Sequence, residues 1–222
     1  MMKKSIAVIG LSRFGLNLVE SFSKLNVDLI AVDQDKESVR KAGEIITNVL
    51  VCDSTDEEAL KDAGIQNVDH AIVAIGQNDK ANLSVSIMTI LKLKEIGVKE
   101  ITARADDLST RDILTLIGAD NIVMPMQIAS ERIANKVASK NVIDYFNIKN
   151  EFDVYEVRVS SLFEPLLITE LDSRSKYKIN ILLIERNEKV ITPNKDTIIR
   201  PNDDIFIFGS KKDIPKITNF FS

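Results

Sequence analysis

A chain of 222 residues, 45% hydrophobic and 28% charged, has the make-up of an ordinary globular protein, large enough for one sizeable domain or for a standard domain with a smaller companion. A net charge of −4 without any lysine-rich run argues against nucleic acid as a partner, because neutralising phosphates takes a basic face. A single cysteine, Cys52, and a single histidine, His70, leave no internal disulfide and little metal or acid–base chemistry; no apolar stretch nears the roughly 20 residues that span a bilayer, so a cytoplasmic location is expected.

From Ser5 to about Val123, short β-branched runs alternate with helical patterns. Strands are expected at 6–10 (IAVIG), 27–33 (VDLIAVD), 46–51 (ITNVLV), 69–75 (DHAIVAI), 100–105 (EITARA) and 121–124 (NIVM). This predicts an α/β fold: a doubly wound, Rossmann-like parallel sheet of about six strands occupying residues 1–139. Among the helices, Asp56-Glu57-Glu58 marks a start and Gly64 an end. The helix from Asn78 to Ile96 carries Leu83, Val85, Ile87, Met88, Ile90, Leu91 and Leu93 around most of its circumference, which predicts burial by its own sheet and by a second subunit. A further helix runs from Gln127 to Ser139, with Ile128, Ile133, Ala134 and Val137 at helical spacing. Residues 140–151 read as a linker, and 152–222 as a smaller α+β domain with strands at 154–159, 179–185 and 203–209, a turn at Arg186-Asn187-Glu188 and a short helix after Leu167.

The stretch GLSRFG, between the first strand and the first helix, is a phosphate-loop pattern G-x-G-x-x-G with Ser12 at its middle position. In such a loop backbone N–H groups and the helix N-terminus converge on an anion. Gly10 makes the tight turn and Gly15 lets the helix pack close to the strand. Ser12 would cost about 1–3 kcal/mol if its backbone had to adopt a glycine-only conformation. A hydroxyl bonded to a charged oxygen offsets this by roughly 1.5–3 kcal/mol.

Asp33 ends the second strand 18 residues after Gly15, where an acid binds ribose hydroxyls and repels a 2′-phosphate. Asp53 and Ser54 follow the third strand, and Asp53 suits either an adenine amino group or a helix cap. Ala74, Ile75 and Gly76 close the fourth strand in the run AIGQND (74–79). Arg13, followed by Phe14 in the loop, and Arg104, at the end of the fifth strand, are the cations placed to meet a terminal phosphate, with a solvated surface group as the lesser alternative for Arg13. The rival reading is an oxidoreductase binding NAD or NADH, which needs a proton donor facing the nicotinamide. His70 starts the fourth strand, opposite the ligand edge, and Cys52 reads as a small buried residue, so that chemistry lacks side chains.

The segments AVIGLSRFG, LIAVDQD, VCDSTDEEAL, AIVAIGQN and IGADNIVMP, followed by NVIDYF and LDSRSKYKINILLIERN…VITPN…IIRPNDDIFIFGSKKDI, resemble the regulator-of-K⁺-conductance (RCK) family, in which a TrkA-N domain precedes a TrkA-C domain. The likeness spans nearly the whole chain and implies a regulator, not an enzyme. It implies ATP or ADP in the first domain, with Arg13 at the terminal phosphate and Asp33 at the ribose. It also implies homodimers assembled into a ring, an octamer, beneath a membrane potassium translocator subunit (KtrB-like), at the inner face of the cell membrane; a potassium channel or a cation/proton antiporter is the alternative partner. In the second domain it implies a cyclic di-AMP site at Arg174, Asn180, Ile181 and Pro193, where the bare residues read as a polar turn before a strand. Two positions depart from the family pattern. Ser12 replaces the middle glycine, and Met126 follows Pro125 where relatives carry a glutamate that holds a divalent cation. A thioether does not ligate Mg²⁺ or Ca²⁺, so no metal is expected there. One charge-assisted contact to a γ-phosphate is worth about 1.5–3 kcal/mol, whereas a switch from 1:99 to 99:1 needs about 5.5, so such a sensor must sum several sites.

Overall fold

The computed structural model describes residues 3–76, 80–138, 140–149 and 151–222. The chain forms two compact units, Met1–Gln127 and Ile128–Ser222. In the first, β1 (Lys4–Ile9), α1 (Arg13–Ser23), β2 (Val27–Asp33), α2 (Lys36–Gly43), β3 (Val49–Val51), α3 (Glu57–Asp62), β4 (His70–Val73), α4 (Lys80–Glu95), β5 (Glu100–Arg104), α5 (Leu108–Ile117) and β6 (Asn121–Val123) alternate along the sequence. The strands pair in parallel in the order β3-β2-β1-β4-β5-β6.

Side chains of a strand alternate between faces, and both faces of this sheet are covered. Ala7 and Ile9 of β1 enter the core shared with Leu60, Ile90, Leu93 and Leu114, while Val8 enters the opposite core with Val19 and Ala42. That is why β1 reads as an unbroken apolar run. Strand order reverses between β1 and β4, which opens a crevice at the carboxyl ends of the strands. Helix starts are fixed by Asp35, Asp56 and Asp107, whose carboxylates accept from the N–H groups of Ser38, of Glu58 and Ala59, and of Thr110. Gly64, just past α3, takes the left-handed conformation that closes a helix (φ 78°).

The expected start of the fourth helix at Asn78, and the stretch Gln77-Asn78-Asp79, lie outside the described residues. Ile90 and Leu93 of α4 are fully buried, while Met88 and Leu91 are exposed on another side. β3 is shorter than the expected 46–51. The Ile46 N–H bonds to the Ala42 carbonyl and its side chain joins the α1/α2 core, so the chain is still finishing α2 at that point.

Helix α6 (Pro125–Ala138) carries the chain into the second unit. Met126, Ile128, Ile133 and Val137 are all more than half exposed on it, and the expected helix end at Ser139 lies outside the described residues. There follow β7 (Val142–Lys149), β8 (Phe152–Arg158), β9 (Leu166–Leu167), α7 (Ile168–Leu171), α8 (Ser173–Tyr177), β10 (Asn180–Arg186), β11 (Lys189–Ile191), β12 (Ile198–Ile199), β13 (Asp204–Ser210) and α9 (Ile214–Phe220). The main sheet is antiparallel, β11-β10-β13-β8-β7, and β9 pairs with β12.

Two features of this unit differ from expectation. The linker expected at 140–151 is largely strand: β7 pairs with β8, Val142 opposite Val157 and Tyr145 opposite Tyr155, because Val142 and Tyr145 face the second core while Asp144 and Phe146 point the other way. Asn150 lies outside the described residues. Helix α9 was not expected, yet Ile214, Ile217 and Phe221 fall on one face and seal the core beneath Ile205 and Ile207 of β13. The hairpin at Asn187-Glu188 holds both residues at positive φ, 53° and 61°, as a two-residue turn between right-twisted strands requires. Asp203, fully buried beside that hairpin, takes both arms of Arg186 at 2.7 Å and the Arg200 N–H at 2.8 Å.

Candidate functional site

A cavity of about 340 Å³ opens in the crevice at the carboxyl ends of β1, β2, β3 and β4. Its walls include Gly10 and Ser12 from the loop, Asp33 and Gln34 after β2, Cys52, Asp53, Ser54 and Thr55 after β3, Ile75 and Gly76 after β4, and Asn82 and Val85 of α4.

The loop conformation explains each glycine and the serine. Gly10 has φ 93°, its N–H bonds to the Val32 carbonyl at 2.9 Å, and an added Cβ would lie 2.9 Å from Ile75 Cγ1. Gly15 is needed for space: a Cβ there would sit 1.9 Å from the Gly10 carbonyl oxygen. Ser12, by contrast, has φ −61° and ψ −178°, which any residue adopts. The strain considered for a middle-position serine is absent. Ser12 is the N-cap of α1, its carbonyl accepting from the Leu16 N–H at 2.9 Å, but its hydroxyl makes no capping bond to the helix. Ser12 lines the cavity, and its hydroxyl is not committed to the helix end.

Asp33 ties the loop to β2. Its Oδ2 accepts from the Leu11 N–H at 2.5 Å and its Oδ1 from the Asp35 N–H at 2.8 Å, so the acid expected at a ribose also fixes the loop backbone. Asp53 accepts from the Thr55 N–H (2.9 Å) and hydroxyl (2.7 Å), and these bonds hold its carboxyl below the usual range. The helix cap at this point is Asp56, and Asp53 is a turn residue that lines the cavity. Ser54 is buried, its hydroxyl 2.7 Å from that of Thr89. Cys52 is buried against the same end, and desolvation pushes its thiol up to about 11.

Of the twelve residues expected in the first site, Gly10, Ser12, Asp33, Asp53, Ser54, Ile75 and Gly76 line the cavity together. Gly15, Ala74 and Phe14 stand behind them: Ala74 is fully buried with its N–H on the Ile9 carbonyl, and Phe14 packs on the α1/α2 core. The two arginines are not lining residues. Arg13 is exposed on the first turn of α1. Arg104 is held by Asp106 through Nε–Oδ1 at 2.8 Å and Nη2–Oδ2 at 3.1 Å, and its guanidinium lies 5.6 Å from the Phe14 ring centroid. Ile9, Val32, Gln34, Cys52, Thr55, Asn82 and Val85 also line the cavity and were not among the expected site residues. Gln34 and Thr55 adjoin expected residues, whereas Asn82 and Val85 face the cavity because they lie three apart on a helix that opens beside β4.

His70 lies at the start of β4, far along the strand from Gly76, with Nε2 2.8 Å from the Thr102 hydroxyl and Nδ1 3.1 Å from Glu100. Burial lowers its pKa. Among the described residues, no group of three or more His, Cys, Asp or Glu is placed to hold a metal ion, and no helix is long and apolar enough to cross a membrane.

In the second unit a cavity of about 460 Å³ lies between α7, α8, β10 and the segment after β11. Arg174, Ile181 and Pro193 line it, with Asp172, Ser173 and Lys195; Asn180, the fourth expected residue, adjoins Ile181 without lining it. Asp172 and Lys178 at positive φ (47° and 57°) turn the chain at the ends of α8, which projects Arg174 at the cavity.

Residues 6–125 match the model of the TrkA-N domain and residues 154–222 that of the TrkA-C domain. Ktr system potassium uptake protein C of Bacillus subtilis (strain 168) is 40% identical over 216 residues, covering 97% of this chain and 96% of that one. Ktr system potassium uptake protein A of the same organism is 32% identical over 217 residues, with coverage of 97% and 96%. Among solved structures, the GsuK channel bound to NAD superposes with a TM-score of 0.65 over 99% of this chain and 39% of the channel chain, at 15% identity, a likeness of fold.

Proposed function

This chain belongs to the TrkA-N/TrkA-C (RCK) family, and on that footing we propose that it is the nucleotide-sensing regulatory subunit of a Ktr-type potassium uptake system. The observation that carries the reading is the first cavity. It lies at the carboxyl ends of a sheet in the order β3-β2-β1-β4-β5-β6, with a glycine loop on one side and an acid after β2 on the other. ATP or ADP binds there with its phosphates on the Gly10–Ser12 turn and the α1 N-terminus, its ribose at Asp33 and its adenine toward Cys52, Asp53 and Ser54. A volume of about 340 Å³ falls at the lower end of the range for small-molecule sites. NAD is the second reading, supported by the same strand order and the same acid.

An oxidoreductase is not supported. The relatives that match at 32–40% over nearly their full length are potassium uptake proteins by name, and the only histidine lies at the opposite end of β4 from the cavity. The second cavity takes cyclic di-AMP, with Arg174 on a phosphate and Ile181 and Pro193 against a base. Output passes through a membrane translocator at the inner face of the membrane. Exposed Met88 and Leu91 on α4, and Ile128, Ile133 and Val137 on α6, support assembly into dimers and a ring, which sums the nucleotide sites.

The test is potassium flux into vesicles holding a Ktr-type translocator with the full chain added. ATP is expected to accelerate flux relative to ADP, and Asp33→Asn to abolish the difference. Flux that does not respond to the chain under either nucleotide contradicts the proposal.

A further inference from the structure

The second unit holds a cavity larger than the two above, about 770 Å³, between the later turns of α6, β7, β8 and α9. On β8 the inward positions are Asp153, Tyr155 and Val157, so a carboxylate and a phenol stand where a strand ordinarily packs apolar side chains. Both residues line the cavity. Asp153 has no solvent exposure; its Oδ1 accepts from the Asn147 amide at 2.8 Å and its Oδ2 from the Tyr155 hydroxyl at 3.2 Å. Burial, and then the Asp153 charge, push the Tyr155 phenol up to about 12, which keeps it a donor. A buried carboxylate opposes folding unless it is paired, and departures of this kind from core patterning concentrate at functional sites. Its counter-charge is Lys211, a half-exposed lining residue whose Nζ lies 3.8 Å from Oδ2, beyond hydrogen-bond range.

The wall therefore carries a cation held near a buried carboxylate with its own donors unspent. Among the described residues, neither the Lys211 ammonium nor that of Lys140, which also lines the cavity, has a hydrogen bond, and each has three N–H groups to give. Two acids line the cavity as well, and access separates them from the lysines: Asp153 is closed to solvent with a donor on each oxygen, and Glu131 of α6 is already engaged. Val142, Ile214 and Pro215 add apolar wall, and the ring of Tyr145, another lining residue, stacks on Tyr155 at 5.6 Å between centroids. Apolar walls with a few polar groups, in a volume of this order, are the make-up of a small-molecule site.

We propose that this cavity binds a small organic anion, a ring or short apolar body bearing a carboxylate or a phosphate, with its head group on Lys211 and Lys140 and its body against Tyr145, Ile214 and Pro215. Lysine is a compact charge with rotatable donors and serves either head group. Every lining residue belongs to the second unit, so the inference does not depend on a nucleotide in the first. The site is also separate from the one read for cyclic di-AMP, none of whose four residues lines it.

The experiment is calorimetric titration of the full chain with phenyl phosphate, with benzoate and, as the cation on a similar ring, with benzylammonium, for wild type, Lys211→Gln, Lys211→Arg and Arg174→Gln. At least one of the two anions is expected to bind wild type at millimolar concentration or below, the tighter one naming the head group, and benzylammonium at least tenfold more weakly. Lys211→Gln is expected to weaken the anion about tenfold, while Lys211→Arg, which keeps a counter-charge for Asp153, stays within threefold of wild type. Arg174→Gln, in the other cavity of this unit, is expected to change the affinity less than twofold. Absence of binding by both anions, benzylammonium binding as tightly as they do, affinity indifferent to Lys211→Gln, or an equal loss in Arg174→Gln overturns the inference.

Discussion

Gly15→Ala tests whether the loop is built as described. The added Cβ would lie 1.9 Å from the Gly10 carbonyl oxygen, whereas ordinary contact begins near 3.4 Å, so helix and turn must separate by roughly 1.5 Å. Neither partner yields easily: Gly10 is fixed by its positive φ and by the bond from its N–H to the Val32 carbonyl, and α1 is anchored by fully buried Val19. Overpacking of this kind destabilises by about 1–3 kcal/mol. On the proposed nucleotide reading the same displacement would lift the α1 N-terminus off the phosphates, and the loss of one charge-assisted contact would lower affinity roughly tenfold to 150-fold. Urea unfolding and calorimetric titration with ATP on the same preparation read both effects. Stability within about 0.5 kcal/mol of wild type together with ATP affinity within about twofold would refute the reasoning.

Ser12→Gly is expected to leave stability within a few tenths of a kcal/mol, since Ser12 carries no backbone strain and glycine is nearly as good at an N-cap; a clear stabilisation in urea would mean that strain was present. Burial lowers the His70 pKa, so as pH falls through the ordinary histidine range the unfolded chain takes up a proton before the folded one. Wild type should therefore lose stability between pH 7 and pH 5.5 relative to His70→Gln, and parallel profiles would refute this. Glu156 is pushed the other way, first by burial and then by Asp204, Asp144 and Glu185, so its carboxylate opposes folding at neutral pH. Glu156→Gln should raise the melting temperature at pH 7, with the gain fading as pH falls below the usual carboxylate range, and an unchanged or lower melting temperature at pH 7 counts against it.

Much of the first unit was legible because its signals are local. Continuous apolar strands such as IAVI, glycine at the one position with φ 93° and the one with no room for a Cβ, and aspartates at helix starts each specify structure within a few residues. Legibility failed where the deciding partner is distant in sequence. NVIDYF looks like a connector until Tyr145 is set opposite Tyr155, and α9 is too short for its periodicity to stand out until Ile214 and Ile217 meet β13. The candidate site shows the same divide. Gly10, Ser12, Asp33 and Asp53 follow from position after a strand, whereas Asn82 and Val85 reach the cavity only because α4 opens beside β4. Arg104 was visible as a cation at a strand end, but its grip by Asp106 depends on side-chain geometry that spacing does not encode.

Calorimetric titration of the purified full chain with ATP, ADP and NADH, each with wild type and Asp33→Asn, tests the central claim most directly. Both adenine mononucleotides are predicted to bind wild type, ATP more tightly than ADP and each more tightly than NADH, and to lose affinity together in Asp33→Asn. Preference for NADH over both, or adenine-nucleotide binding that is indifferent to Asp33, would contradict it.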